Sequence, residues 1–376
     1  MGNKYTSGAV SIFAVIFATL LLTVLTIGFI SLMIVAQQRA INNDLSQSAY
    51  DAALAGVEDA KRAVRACADD SASPVCAPLA APADCKVIAR AGINGDVNKN
   101  ETRITSNSSS GGQFDQAYTC VNISMNSPDY LAKMTTSNTQ IVPLRATGSV
   151  NEIVIQWFTQ EDNGGQSAAA PGGNLDSLPP ISGWNNGAPP LLRVQLITPG
   201  ESFSLNELND TVKSSTVFLR PSTVAPGVPA SQVVTINDSS PARATVVGSY
   251  SNSLNPVACS RNFAQGGYAC QVTLKLEENR GISEGASQNA LLRLDLMYRD
   301  ANVRISLFNG PTSVDFNGVQ PVVDSTGRAN DLFRRVESRL RLGSDFSYPS
   351  YVVDLENALC KDFAVNDTGA TGSCNP

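Results

Sequence analysis

The chain has 376 residues, enough for one large domain or two smaller ones after an N-terminal segment. Its formal net charge is −6 and only 16% of its residues are charged, so we expect no nucleic acid among its partners. Histidine is absent, which removes the usual neutral-pH general base and every nucleophilic pair that depends on it. Chemistry by paired carboxylates, as in a membrane-tethered carbohydrate-active enzyme, stays open, but nothing in the sequence marks such a pair. We expect no enzymatic activity, no metal and no other cofactor.

The first predicted element is a long helix. Residues 9–36 contain no charged residue, and as a helix they would be roughly 42 Å long, against a hydrocarbon core of roughly 30 Å. The run is too long for the apolar core of a cleavable secretory signal, and no small-x-small cleavage site follows it. We expect a single-pass membrane helix that contacts lipid, preceded by a short cationic leader over residues 1–8.

The helix is predicted to continue to residue 66 as an amphipathic segment, because apolar residues recur there at spacings of three and four. Its apolar face is unusually rich in alanine and glycine, including Ala49, Ala53 and Gly56. Such small residues let another helix or a sheet approach closely. An unbroken helix over 9–66 would be roughly 87 Å long.

This N-terminal part resembles a type IV prepilin. The leader ends at Gly8, the apolar helix begins at Ala9, and the segment 48–60 (SAYDAALAGVEDA) is similar to the A-E-A-G-[IV]-E-x-A segment of minor pilins and pseudopilins. The resemblance implies that a prepilin peptidase cuts between Gly8 and Ala9. It also implies that the helix packs against other pilin subunits through a set of apolar and small residues: Phe13, Ile16, Leu20, Val24, Ala49, Ala53 and Gly56.

Two positions depart from the family pattern. Major pilins carry a glutamate where this chain has Phe13, and the family glutamate of the alanine-glycine segment is replaced by Leu54. Phe13 resembles a subset of minor pilins and pseudopilins. The sequence therefore predicts a minor pilin or pseudopilin-like subunit, located in the membrane and at the cell surface or in a pilus. The alternative is a surface binding protein or adhesin with an ordinary, uncleaved membrane anchor.

The eight cysteines include no C-x-x-C pair, which argues against zinc ribbons and thioredoxin-like sites. An even number of cysteines behind an apolar N-terminus indicates disulfides in an oxidising compartment. The predicted pairs are Cys67–Cys76, Cys85–Cys120, Cys259–Cys270 and Cys360–Cys374. Connectivity among the first four cysteines stays open, because spacing alone does not fix it.

Beyond residue 66 the pattern changes to short alternating runs, which predict a mostly antiparallel, β-rich exported portion and an α+β fold overall. We divide it into a first β-rich part (67–160), a flexible loop rich in Gly, Asn, Ala and Pro (161–190), and a second β-rich part (191–376) that ends in a disulfide loop. Within the second part, residues 292–298 and 303–307 are predicted to form a tight antiparallel hairpin.

Two segments suggest binding. The strand 334–341 is the most basic part of the chain; it could bind an acidic surface such as a cell-surface receptor, but pairing of its arginines with neighbouring carboxylates is the favoured interpretation. Residues 94–100 place oxygen-bearing side chains at alternating positions, as a calcium loop does. However, Lys99 stands where glycine is needed and Thr105 where glutamate is needed, so a polar surface loop is favoured.

Overall fold

The computed structural model describes residues 7–81, 84–104, 115–172, 179–198, 210, 213–225, 232–236, 254–277, 281–282 and 290–342, with side chains from residue 12 onward. The fold is α+β, a long N-terminal helix followed by β-rich structure, as predicted. The helices are α1 (Ser7–Asp69), α2 (Cys76–Ala80) and α3 (Val87–Arg90). The strands are β1 (Thr102–Arg103), β2 (Gln116–Ser127), β3 (Tyr130–Met134), β4 (Gln140–Pro143), β5 (Glu152–Thr159), β6 (Leu191–Ile197), β7 (Ser214–Ala225), β8 (Gln232–Ile236), β9 (Leu254–Ser260), β10 (Tyr268–Leu276), β11 (Leu291–Met297), β12 (Ala301–Asn309), β13 (Thr312–Val314), β14 (Phe316–Ala329) and β15 (Leu332–Arg339).

Helix α1 is continuous over 63 residues, which corresponds to roughly 95 Å. No proline interrupts it, and its apolar half passes into its amphipathic half without a break. Residues 12–44 are exposed on every face, and burial begins at residue 45. The helix is long and apolar enough to cross a membrane once.

The chain forms two compact units. The first, which we call the helix–sheet unit, comprises residues 1–126 and 320–342. Its four-stranded sheet has the order β1-β2-β14-β15, with β1 antiparallel to β2 and β14 antiparallel to β15. Apolar residues of α1, α2, α3, β2 and β14 share one buried cluster in this unit.

The second unit, which we call the inserted unit, begins at Ser127, and its described part runs to Val319. The chain therefore leaves the four-stranded sheet after β2 and returns to it with β14, the strand next to β2. The inserted unit contains an 11-stranded sheet of order β13-β12-β5-β10-β9-β7-β6-β11-β4, with β3 paired to β12 and β8 paired to β10. Its core is a single large cluster of buried aliphatic and aromatic residues.

This large sheet is mixed, and it nearly closes on itself. Pairs β7–β9 and β8–β10 are parallel, so the mostly antiparallel prediction is correct only in part. The two ends of the strand order meet just beyond β4 and β13. There the amide of Thr147 donates to Asp315 at 2.9 Å, and the amide of Asn317 donates to Arg145 at 2.9 Å. Because the sheet nearly closes, few unpaired backbone N–H and C=O groups of its described edge strands are exposed for pairing with another chain.

Residues 161–190, predicted to be a flexible loop between two β-rich parts, do not mark the boundary between the two units of the structure. Strands β5 and β6, which flank that segment, lie in the same sheet, so the segment does not separate two domains. Its described parts also make specific contacts: the Trp184 ring stacks on Tyr298 with centroids 4.1 Å apart, and the amide of Ala169 donates to Gly187 at 2.8 Å. The glycine- and proline-rich composition predicts irregular backbone correctly, but an anchoring tryptophan fixes that backbone in place.

The predicted hairpin between residues 292–298 and 303–307 is wrong. Both strands exist, but β11 pairs with β4 and β6, whereas β12 pairs with β3, β5 and β13. Each strand already has neighbours on both edges, so none of its edges is left for the other. Tyr298, which follows β11, has a positive φ of 79°, and the chain changes direction there.

The structure contains the disulfides Cys67–Cys76, Cys85–Cys120 and Cys259–Cys270, which are three of the predicted pairs. The first two tie the segment after α1 to the end of that helix and to β2. The third joins β9 to β10. Cys360 and Cys374 lie outside the described residues. Disulfides in this part of the chain indicate an oxidising compartment and therefore export.

Candidate assembly surface

The exposed half of α1 is the largest apolar surface among the described residues. Gly8 and Ala9 lie near the start of the helix, ahead of the residues whose side chains are described. The predicted packing residues Phe13, Ile16 and Leu20 are 74%, 50% and 60% exposed, and Val24 is 66% exposed. Each such side chain costs about 1.5–3 kcal/mol to leave in water, so this surface requires lipid or other protein around it.

The small residues of the second half of α1 contact the chain's own sheet. Ala49 and Ala53 are completely buried. A Cβ atom added to Gly56 would lie 2.4 Å from the Ser325 hydroxyl oxygen and 2.8 Å from a Val121 methyl group. The close approach that these residues permit is therefore used within the helix–sheet unit. Of the predicted packing residues, only those before residue 45 remain free for contacts with other molecules.

A buried carboxylate, which sequence reasoning missed, lies at the centre of this helix–sheet contact. Asp59 is 6% exposed, and its Oδ2 accepts hydrogen bonds from the Tyr118 hydroxyl and from Asn94 Nδ2, both at 2.9 Å. Burial raises the pKa of Tyr118 above its ordinary value, so this hydroxyl remains a donor. Asp59 thereby joins α1 to β2 and to the loop after α3. An acid three residues after Gly56, on the small-residue face, was the available signal.

Replacing Asp59 by alanine is expected to lower the free energy of unfolding of the helix–sheet unit by about 2 kcal/mol, because the buried Tyr118 hydroxyl loses its acceptor. Asn94 is exposed, so water replaces the acceptor that it loses. Hydrogen exchange of amides 49–64, in detergent-solubilised protein, would measure the change. The control is Asp51→Ala, which removes an exposed carboxylate whose one hydrogen bond within the described residues is to Gln47 and should cost less than about 0.5 kcal/mol. Equal effects of the two substitutions would contradict the role given to Asp59.

The basic strand β15 is divided between two environments. Arg335 Nε donates to Asp324 Oδ1 at 2.7 Å, and this hydrogen bond raises the pKa of Arg335. Arg334 Nε donates to the Ser46 hydroxyl at 2.8 Å. Both arginines therefore have partners inside the helix–sheet unit, but only Arg335 pairs with a carboxylate, as the pairing interpretation predicts. Arg339, at the end of β15, and Arg341, which follows it, line a surface cavity beside α1. Arg339 also donates to the side-chain oxygen of Gln320 at 3.4 Å.

The polar loop over residues 94–100 holds itself together with its own side chains. Asp96 Oδ1 accepts from the backbone amide of Asn98 at 2.9 Å, and Asn94 Oδ1 accepts from the amide of Gly95 at 2.9 Å. In the part of the chain that the structure describes, no group of three or more acidic, histidine or cysteine side chains is placed to hold a metal ion. The contacts agree with the polar surface loop favoured from the sequence.

No protein-family model matches this chain, and neither does any curated protein or solved structure. Function is therefore inferred from the residues and their arrangement.

Proposed function

We propose that this protein is a minor pilin or pseudopilin-like subunit of a type IV pilus system, a structural protein and not an enzyme. The observation that carries the proposal is the division of α1 into an exposed apolar half and a half that packs on a four-stranded sheet. The pilins that the N-terminal part resembles have the same layout, with a sheet on the second half of a long helix.

The division of α1 suggests how such a subunit would work. The apolar half is held in the bilayer before assembly, because exposure to water is unfavourable for each of its large side chains. In a filament, the helices of other subunits would take the place of lipid. Lipid and helix surfaces are similarly apolar, so close packing between helices would decide the balance. Other subunits would thus be the partners of residues 12–36.

Phe13 bears on which kind of subunit this is. The glutamate of major pilins pairs with the N-terminal amine of a neighbouring subunit, whereas the phenyl ring of Phe13 forms no such pair. A subunit without this pairing fits a minor position in a filament, for priming assembly or for attachment. The inserted unit would be displayed there.

A surface binding protein with an uncleaved anchor is the second candidate. The size of the inserted unit favours it, since residues 127–319 form a separate core that the helix–sheet unit does not need for its own burial. The small-residue face of α1 does not distinguish the two candidates, because the chain's own sheet covers that face. The fate of the leader does distinguish them.

Gly8→Val is expected to prevent removal of the leader, so that the protein keeps residues 1–8 and stays in the membrane fraction when filaments are sheared from the cells. The matched control is Gly28→Val in the same helix, where nothing lies within 4 Å of an added Cβ atom; it should be processed normally. Intact mass and the membrane-to-filament ratio are the measurements. If Gly8→Val left both unchanged, the pilin proposal would be wrong and the anchor proposal would be favoured.

A further inference from the structure

A cavity of about 240 Å³ opens in the helix–sheet unit beside α1 and the end of β15. Four cationic side chains line it: Lys61 and Arg65 from the helix, and Arg339 and Arg341 from the strand and the residues that follow. Only one carboxylate, Glu58, is among the lining residues. Lysine or arginine side chains gathered around one cavity repel each other unless an anion is present.

The contacts around the cavity leave part of this positive charge without a partner. Glu58 pairs with Lys61 at 3.4 Å, and both side chains are exposed, so solvent weakens that pair. Arg62, the neighbour of Lys61, reaches Asp59 at 3.3 Å instead of the cavity. Arg339 donates to the side-chain oxygen of Gln320 at 3.4 Å. Within the described ranges, neither Arg65 nor Arg341 has a hydrogen bond or an ion pair.

The chemistry of the lining narrows the class of ligand. Arginine presents a planar fork of donors that matches the oxygens of phosphate, sulfate and carboxylate groups. Val57, Leu340 and Leu342 supply apolar surface between the cations, which favours an oxyanion attached to a less polar body over a fully hydrated ion.

We propose that this cavity is a binding site for an oxyanionic group, with Arg65 and Arg341 as its principal contacts. The site does not depend on the pilin proposal, because every lining residue belongs to the folded helix–sheet unit, outside the apolar half of α1. The sequence shows the basic strand but not the site, since Lys61 and Arg65 come from a helix far away along the chain.

Binding can be tested by titrating the full-length protein, in a nonionic detergent, with inorganic pyrophosphate and with dextran sulfate, using uncharged dextran as the blank. We expect both anions to bind and to bind more weakly as sodium chloride is raised. Binding of pyrophosphate but not dextran sulfate would identify a site for small anions. Binding of dextran sulfate but not pyrophosphate would identify a site that needs a polymeric anion. Either result keeps the oxyanion site.

The double variant Arg65→Gln/Arg341→Gln is expected to bind about ten- to a hundredfold more weakly, since each charge-assisted contact contributes about tenfold. The matched control is Arg103→Gln/Arg335→Gln, which removes the same charge from the same unit at two arginines that already pair with carboxylates. That control should change affinity less than about threefold.

A third variant, Arg65→Lys/Arg341→Lys, keeps the charge but loses the planar guanidinium groups, so its affinity should be lower than that of the wild type but higher than that of a folded glutamine variant. It provides the test if the glutamine variant fails to fold. The site would be rejected if the wild type bound neither anion. It would also be rejected if the control lost as much affinity as the glutamine or lysine variant, since binding would then reflect overall charge. Leader processing should be normal in all of these variants, so the outcome is separate from that of the pilin proposal.

Discussion

Replacing Gly327 by alanine is expected to lower the free energy of unfolding of the helix–sheet unit by about 3 kcal/mol. Gly327 lies where β14 crosses α1, and an added Cβ atom would lie 2.1 Å from the carbonyl oxygen of Ala49 and 2.2 Å from the amide nitrogen of Ala53. Both are backbone atoms of a helix, so neither can rotate away as a side chain could. The strand would have to move off the helix.

The measurement must distinguish unfolding of the helix–sheet unit from unfolding of the inserted unit. Both tryptophans of the chain, Trp157 and Trp184, lie in the inserted unit, so the urea transition followed by tryptophan fluorescence should not change. Hydrogen exchange of the amides in 49–64 should become faster. The control is Gly148→Ala, where the nearest atom would be 3.8 Å away. Unchanged exchange in the Gly327→Ala protein would mean that β14 and α1 are not in close contact.

Removing the Cys85–Cys120 disulfide by the double substitution Cys85→Ala/Cys120→Ala is expected to destabilise the helix–sheet unit by about 4 kcal/mol. The two cysteines are 35 residues apart, and the stabilisation by chain entropy grows with the length of the closed loop. This disulfide holds the segment after α1 against β2, so its loss should raise hydrogen exchange in both elements.

The disulfide of the inserted unit provides the matched comparison. Cys259 and Cys270 are 11 residues apart, so Cys259→Ala/Cys270→Ala should cost about 3 kcal/mol. That loss should shift the fluorescence-detected urea transition and leave exchange in α1 as it is. Our description of two separate units would be contradicted if either double variant changed both readouts equally.

The sequence predicted the local features of this fold well. The length of α1 and the change from its apolar to its amphipathic half follow from periodicity and from the absence of proline, which depend only on neighbouring residues. Alternation likewise predicted the β-rich structure that follows residue 66. Three of the predicted cysteine pairs, each joining consecutive cysteines, are disulfides in the structure.

The sequence did not predict which strands pair when they are far apart along the chain. Strand β2 lies next to β14, with the whole inserted unit between them along the chain, and nothing in either strand's pattern specifies that neighbour. The predicted hairpin of β11 and β12 failed for the same reason: proximity along the chain was taken as pairing, while partners far away along the chain occupied both edges. The boundary at 161–190 failed because β5 and β6, on either side of it, lie in one sheet, and composition does not reveal that.

The candidate surfaces show the same limit. Exposure of Phe13 and Leu20 follows from an uncharged run, and the sequence predicted it. The face containing Ala49 and Gly56 was correctly read as a surface for close approach, but only the structure identifies the chain's own sheet as what approaches it. That finding leaves Phe13, Ile16, Leu20 and Val24, among the predicted packing residues, exposed for contacts with other molecules.

The mass of the mature N-terminus is the most direct test of the proposal that this chain is a pilin-like subunit. Protein purified from its native host, from both membranes and sheared surface filaments, would be analysed by intact mass and N-terminal sequencing. We predict a chain that begins at Ala9 and occurs in the filament fraction. A chain that begins at Met1 and occurs only in membranes would contradict the proposal.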